Sequence, residues 1–269
     1  MLDALPVLRP GGLIARILPA AAAAAESVGP LSDAAWCLFP AEERAVRTAG
    51  SRRRAEFAAG RQCARTALAA LGMPQAPILP GPAGEPRWPT GVVGSITHCP
   101  GYRACAVARA ADLVAIGIDA EPDEDLADDL IEVVATDTEL AWIRRAAVTW
   151  PAVHWARLVF SVKEAAGKAW YPLTGRWPDR GELAVSAASA SGTITVRLAG
   201  AGPELPAAMT GRWLLGDGLI CDGATFGDHC VMALTVRGRA ELDRIAQRIR
   251  RASTATADPS SARTARARR

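Results

Sequence analysis

Along this 269-residue chain, apolar positions recur first at helical and then at strand spacing, and the succession happens twice. Between 51 and 72, Phe57, Ala58, Ala64, Ala67, Leu68 and Leu71 gather on one helix face, with Arg52, Arg53, Arg61 and Arg65 mostly on the others. Gly72 and Pro74 end that pattern. A loop rich in proline and glycine covers 74–91. Three apolar runs follow at 92–99, 102–109 and 113–119, separated by Pro100-Gly101 and by 110–112, and they predict neighbouring antiparallel strands. After an acidic stretch at 121–132, helix periodicity returns at 137–145 and in a longer helix at 153–170, which Pro172 is expected to stop. Later strands are predicted within 182–198, at 212–215 and at 231–236. A last amphipathic helix carries Leu242, Ile245 and Ile249 on one stripe. Helix then strands, twice over, predicts an α+β fold whose two lobes meet at a cleft, where ligand sites tend to lie.

Two short motifs about forty residues apart carry candidate chemistry. In a strand ending Gly117-Ile118-Asp119-Ala120-Glu121, residues two apart share a face, so Asp119 and Glu121 can aim both carboxylates at one cation. In a helix bearing Lys163-Glu164-Ala165-Ala166-Gly167-Lys168, residues four apart lie one turn above the other, so Glu164 and Lys168 can reach a common ligand. Three carboxylates and a lysine suit a hard metal holding a polyphosphate, because magnesium takes a few protein oxygens and completes its shell with water and phosphate. Either motif alone also reads as ordinary surface, a solvated turn entry in one case and an exposed helix face in the other.

Composition narrows the class. With 50% of its residues hydrophobic, the chain can bury a sizeable core, as one large domain or two small lobes. Its six cysteines contain no Cys-x-x-Cys pair, and His98, His154 and His229 do not join them at zinc-ligand spacing, so neither a structural zinc nor a disulfide framework is expected. The apolar surroundings of Cys63, Cys99 and Cys105 predict buried free thiols, which suits the cytoplasm. The alanine run at 20–25 is short and bounded by Pro19 and Glu26, so neither a signal peptide nor a membrane span is expected. Of the formal net charge of +3, five arginines and Asp258 in 251–269 supply +4, leaving −1 for the rest. That tail is predicted to be disordered. A nucleic-acid module built on Arg52, Arg53, Arg54 and the tail lacks the interleaved aromatic and basic residues such binding uses.

Larger segments carry a resemblance. Val93-Gly94-Ser95-Ile96-Thr97-His98-Cys99, then Gly101-Tyr102-Arg103 and Gly117-Ile118-Asp119-Ala120-Glu121-Pro122, resemble the 4′-phosphopantetheinyl transferases. So does the segment from Phe160-Ser161-Val162-Lys163-Glu164 to Leu173-Thr174-Gly175. Arg52-Arg53-Arg54-Ala55-Glu56-Phe57, Gly60-Arg61-Gln62-Cys63-Ala64-Arg65 and Gly84-Glu85-Pro86-Arg87-Trp88-Pro89 are similar to the actinobacterial and enterobactin-synthetase-activating branch of the surfactin-type superfamily. The resemblance implies two similar α+β lobes related by a pseudo-two-fold axis: 1–112 on the coenzyme A nucleotide side, 113–250 with the metal and catalytic residues, and 251–269 as the tail. It implies a monomeric enzyme that transfers phosphopantetheine from coenzyme A to a serine of an apo carrier protein of the acyl, polyketide or nonribosomal-peptide kind. The metal would be magnesium, or manganese in its place, and adenosine 3′,5′-bisphosphate would leave. By position, Asp119, Glu121 and Glu164 would hold metal, Glu164 would act as base and Lys168 would sit on the phosphates. Arg53, Arg61, Thr97, His98 and Asp119, with the backbone near Ala83, would bind coenzyme A.

Two departures from that branch matter. The loop Pro80-Gly81-Pro82-Ala83-Gly84-Glu85-Pro86 has proline and alanine where relatives often carry lysines, and Gly167 stands where many carry a larger residue, which is expected to widen the pantetheine side of the cleft. Arg144, Arg145 and Arg157 are candidates for meeting an acidic carrier helix. The alternative is a non-catalytic coenzyme A or carrier-binding protein of the same fold.

Overall fold

Small side chains decide how the first lobe packs. The computed structural model describes residues 7–10, 12–31, 37–188, 192–199 and 207–225. Strands β1 (Val7–Pro10), β2 (Ala22–Val28), β3 (Val92–Cys99) and β4 (Tyr102–Arg109) form an antiparallel sheet in the order β1-β2-β4-β3. Helix α1 (Pro40–Ala45) precedes α2 (Ser51–Ala70), which lays Cys63, Ala64, Ala67 and Leu68 against Ala25, Cys105 and Val107. Alanine is a poor strand former, so the run at 20–25 did not read as a strand. Here β4 pairs along its whole length and α2 needs a near neighbour without bulk, and this context overrides propensity.

The second lobe repeats the plan with larger residues. Strand β5 (Ile116–Pro122) is followed by α3 (Asp128–Val134), α4 (Asp137–Thr149) and α5 (Trp155–Thr174). Strands β6 (Leu183–Ala188), β7 (Thr193–Leu198), β8 (Ala208–Gly216) and β9 (Leu219–Thr225) complete an antiparallel sheet in the order β5-β9-β8-β7-β6. Trp155, Leu158, Val162 and Trp170 of α5 meet Val196, Met209, Trp213 and Ile220 in its core. In each lobe a strand comes first, then a 20-residue helix, then further strands.

The lobes are joined by a shared core in which Ile14, Ile17, Tyr102, Ile116, Ile118, Leu219 and Cys221 are buried together. Beside it, β3 and β5 run alongside one another in separate sheets. The seam is closed by hydroxyls: Ser95 Oγ accepts the N–H of Ile118 (3.1 Å) and Thr97 Oγ1 accepts that of Ala120 (3.2 Å). Alternating residues of one strand thus satisfy alternating donors of the other.

Gly117 brings β5 against α5. A Cβ there would stand 1.8 Å from the carbonyl oxygen of Ala165 and 2.9 Å from the nitrogen of Ala169. Helix and strand cannot approach this closely with any side chain between them. Gly117→Ala is expected to force the two elements apart at about 1–3 kcal/mol, read as a fall of several degrees in Tm. An unchanged Tm would show that the contact relaxes without cost.

Several boundaries differ from expectation. Helix α5 runs through Pro172 to Thr174 and ends at Gly175 (φ +74°), whose N–H reaches Tyr171 O at 2.8 Å. So close to the end, proline forfeits little of the helical bonding. The region 182–198 is a hairpin, β6–β7. The turn Asp217-Gly218, with both φ positive (54° and 73°), reverses the chain into β9, which the sequence reading did not include. The expected strand at 231–236, the helix bearing Leu242, the tail 251–269, His229 and Cys230 lie outside the described residues. Cys63, Cys105 and Cys221 are buried free thiols, Cys99 is half-buried and Cys37 exposed. No described helix is long and apolar enough to cross a membrane.

Candidate active site

Asp119, on β5, lies at the centre of the seam, 4% exposed, with β3 and α5 both aiming donors at it. Its Oδ1 accepts from Lys168 Nζ (2.6 Å) and Thr97 Oγ1 (2.9 Å), and its Oδ2 accepts from Ser161 Oγ (3.0 Å). Ser161 Oγ also bonds Asp222 Oδ1, and β9 sets Asp222 directly opposite Asp119 in the ladder. Lys168 makes a further bond to Ile118 O at 3.2 Å. Burial opposes the charge on Lys168, but Asp119, Glu164 and Asp222 outweigh it and hold the ammonium above its ordinary range. Asp222 is fully buried, and first burial, then Asp119, holds its carboxyl well above the usual range.

The other two carboxylates feel the same centre. Burial first, and then the charge on Asp119, pushes Glu121 up to about 7, against the pull of Arg157. Glu164 is raised by burial and Asp119 and lowered by Lys168. Among the described residues no group of three His, Cys, Asp or Glu already stands in metal-holding geometry. Asp119 and Glu121 both lie on β5, two residues apart. Each carboxylate has its own cation, Asp119 taking Lys168 and Glu121 taking Arg157 at 3.1 Å. Glu164 has no hydrogen-bond or ion-pair partner among the described residues. The donor chemistry, hard oxygens with more negative charge than the local cations neutralise, fits a small divalent metal.

Arg157 is therefore not free to meet a carrier. Besides Glu121 it bonds Asp125 O (2.8 Å) and Glu124 O (3.3 Å), tying the loop after β5 to the first turn of α5. Arg144 and Arg145 are exposed on α4.

On the N-lobe side, Arg53 Nη1 lies 3.3 Å from His98 Nε2. A guanidinium only donates, so Nε2 accepts and the imidazole is neutral. Arg61 does not join this pair. Eight residues along α2, about 12 Å at the helical rise, it is buried under the loop, with its Nε on Ile78 O at 2.8 Å and its guanidinium 3.9 Å over Phe57. Burial lowers it to about 10, and its Nη2 is buried without a partner. Ala83 lies exposed at the tip of a loop closed by a Pro80–Pro86 bridge, and its N–H donates to Glu85 Oε2 at 2.9 Å. That backbone donor is therefore occupied.

Gly167 does not widen the cleft. A Cβ there would stand 2.5 Å from the ring of Trp177, which fills the space and leans on Tyr171 with ring centroids 5.8 Å apart. Lys163, beside Glu164 in sequence, points elsewhere: its Nζ bonds Glu139 Oε2 (2.7 Å) and Val134 O (2.8 Å), pinning the α3–α4 junction. Sequence reasoning gave no role to Ser161, Asp222 or Trp177. Ser161 was within its reach, since 161, 164 and 168 fall on one helix face. Asp222 needed β9, and β9 needed its Asp-Gly turn to be recognised.

Comparison with known proteins places these features in one class of enzyme. The family model of the 4'-phosphopantetheinyl transferase N-terminal domain matches residues 41–108, and that of the 4'-phosphopantetheinyl transferase superfamily matches residues 115–210. The chain belongs to the 4'-phosphopantetheinyl transferases. It is 47% identical over 192 residues to the 4'-phosphopantetheinyl transferase Svp of Streptomyces mobaraensis, covering 70% of this chain and 78% of that one. It is 41% identical over 222 residues to Npt of Nocardia iowensis, covering 77% and 97%, and 45% identical over 170 residues to PptT of Mycobacterium tuberculosis, covering 62% and 74%. Both relatives are also 4'-phosphopantetheinyl transferases.

Proposed function

We propose that this transferase moves the 4′-phosphopantetheine arm of coenzyme A onto the serine hydroxyl of an apo carrier protein, with magnesium or manganese, releasing adenosine 3′,5′-bisphosphate. The observation that carries the reading is Lys168 held on Asp119 at the seam, with Glu164 one helical turn away and within reach of the lysine's charge. The serine oxygen forms a bond to the β-phosphorus of coenzyme A, and the bond from that phosphorus to the bridging oxygen breaks. Asp119, Glu121 and Glu164 are the residues that would hold the metal, which when bound neutralises diphosphate charge and eases departure of the leaving group.

The chain's own groups supply the rest. Glu164, kept above the usual carboxylate range by burial, suits the role of base for the serine proton. Lys168 offers a point charge to the diphosphate. Arg53 and His98, with Thr97 behind them, suit the nucleotide phosphates, and the unpartnered Nη2 of Arg61 suits an anionic neighbour. The loop around Ala83 contributes shape rather than its occupied N–H. In this reading 1–112 serves the nucleotide and 113–250 the metal and the chemistry. Exposed Arg144 and Arg145 remain the basic candidates for an acidic carrier surface.

The test is intact-mass measurement of apo acyl, polyketide and peptidyl carriers incubated with the protein, coenzyme A and magnesium. A gain of about 340 Da, one phosphopantetheine, that disappears with chelator is expected; no gain on any carrier would sink the reading.

Metal dependence should follow pH. Glu121 titrates near 7 and must be ionised to hold a cation, so the magnesium needed for half-maximal rate is expected to rise about tenfold per unit below 7 and to level off above it. The sign for stability is opposite. The folded state binds this proton more tightly than the unfolded chain, so the contribution of Glu121 to stability falls as pH climbs from the ordinary carboxyl range to about 7. Arg157→Gln removes a cation that favours ionised Glu121 and should move the break to higher pH. A magnesium requirement flat from pH 6 to 8 would remove Glu121 from the metal.

A further inference from the structure

Asp222 is the one fully buried carboxyl at this site to which the mechanism gives no role, and hydrogen counting defines what it does. Ser161 Oγ stands within hydrogen-bonding distance of both Asp119 Oδ2 and Asp222 Oδ1, yet a serine hydroxyl carries one proton. Asp119 is the anion of the pair, since its other oxygen receives Lys168 at 2.6 Å and Thr97 at 2.9 Å. The serine proton therefore belongs to Asp119. The contact on the other side requires Asp222 to be the donor and Ser161 Oγ the acceptor. The second oxygen of Asp222 is buried without a partner, which a carboxylic acid tolerates far better than a carboxylate.

We propose that Asp222 is a positioning residue for the transfer reaction: donating to Ser161, it turns the serine's only proton toward Asp119 and so fixes the face that the Asp119 carboxylate presents. The proposal rests on the reading of Asp119 as a metal ligand. It gives Asp222 and Ser161 a serial role, because Asp222 acts on Asp119 only through the serine.

The experiment is a manganese titration of the full-length protein without coenzyme A, following the resonance of free Mn2+, together with kcat and KM for coenzyme A. Asp222→Ala and Ser161→Ala are each expected to weaken Mn2+ binding about 10–100-fold and to lower kcat more than they raise KM, as loss of a partner that orients a metal ligand does. The double variant should be no weaker than Ser161→Ala alone. Asp222→Asn keeps a donor in place of the acid and should restore most of the affinity. Asn as damaging as Ala would mean that the charge matters rather than the donor, and Mn2+ affinities equal to wild type in the Ala variants would remove the positioning role; either overturns the proposal. If Asp222→Ala does not fold, Ser161→Ala and Asp222→Asn still decide. Failure of the unaltered protein to bind Mn2+ would sink the metal reading instead, and the positioning claim would then be judged on kcat of Asp222→Asn against Ser161→Ala.

Discussion

Asp119→Asn should lower kcat by on the order of 10^3-fold or more while leaving the near-ultraviolet circular dichroism of the fold in place. Asparagine keeps the size of the side chain, and its one carbonyl oxygen can still accept from Thr97 while its amide nitrogen faces Ser161 Oγ as a donor, so the seam is expected to stay closed. What goes is the negative charge under Lys168 and one metal oxygen. Lys168 then sits half-buried at the seam without the carboxylate that most favours its charge. Asp119→Ala is the less informative change, because it leaves Thr97, Ser161 and Lys168 without their shared acceptor and mixes stability with chemistry. A kcat within tenfold of wild type for Asp119→Asn would remove this residue from the centre of the mechanism.

Glu164→Gln is expected to lose about 10^2–10^4 in kcat with little change in coenzyme A affinity measured by calorimetry. The amide fills the same space on α5 and keeps Lys168 and Asp119 paired, but it cannot take a proton. The acid limb of the wild-type rate profile should lie above the ordinary carboxylate range, since burial and Asp119 hold Glu164 up, and that limb should vanish in the variant. A loss confined to binding would make Glu164 a metal ligand alone.

How much of this was legible beforehand varied with the kind of information each residue carries. The signatures around Asp119 and Glu164 sit on regular elements whose spacing fixes which side chains share a face, so Glu164 and Lys168 could be placed on one helix face from periodicity. Strands β3 and β4 were bounded correctly by Pro100-Gly101 and the flanking polar residues. Arg157 read as a surface cation because nothing local shows that the chain folds Glu121 back onto it. Gly167 read as spare room because its filler, Trp177, comes from beyond the end of the helix. Arg61 and Arg53 share a helix and an implied role toward coenzyme A, but only the tertiary structure shows that Arg61 is buried under a loop two turns away.

The sequence by itself determined the class of protein, the order of helices and strands through most of both lobes, and the motifs that carry Asp119 and Lys168, which meet at the seam. These depend on periodicity and on short motifs, which local spacing encodes. The tertiary structure alone decided which charge pairs with which, because pairing depends on what lies across the seam. It set Asp222 opposite Asp119, routed both through one serine hydroxyl, and brought β5 onto α5 at Gly117. Each of these contacts joins residues more than forty positions apart, and no local pattern carries such distances.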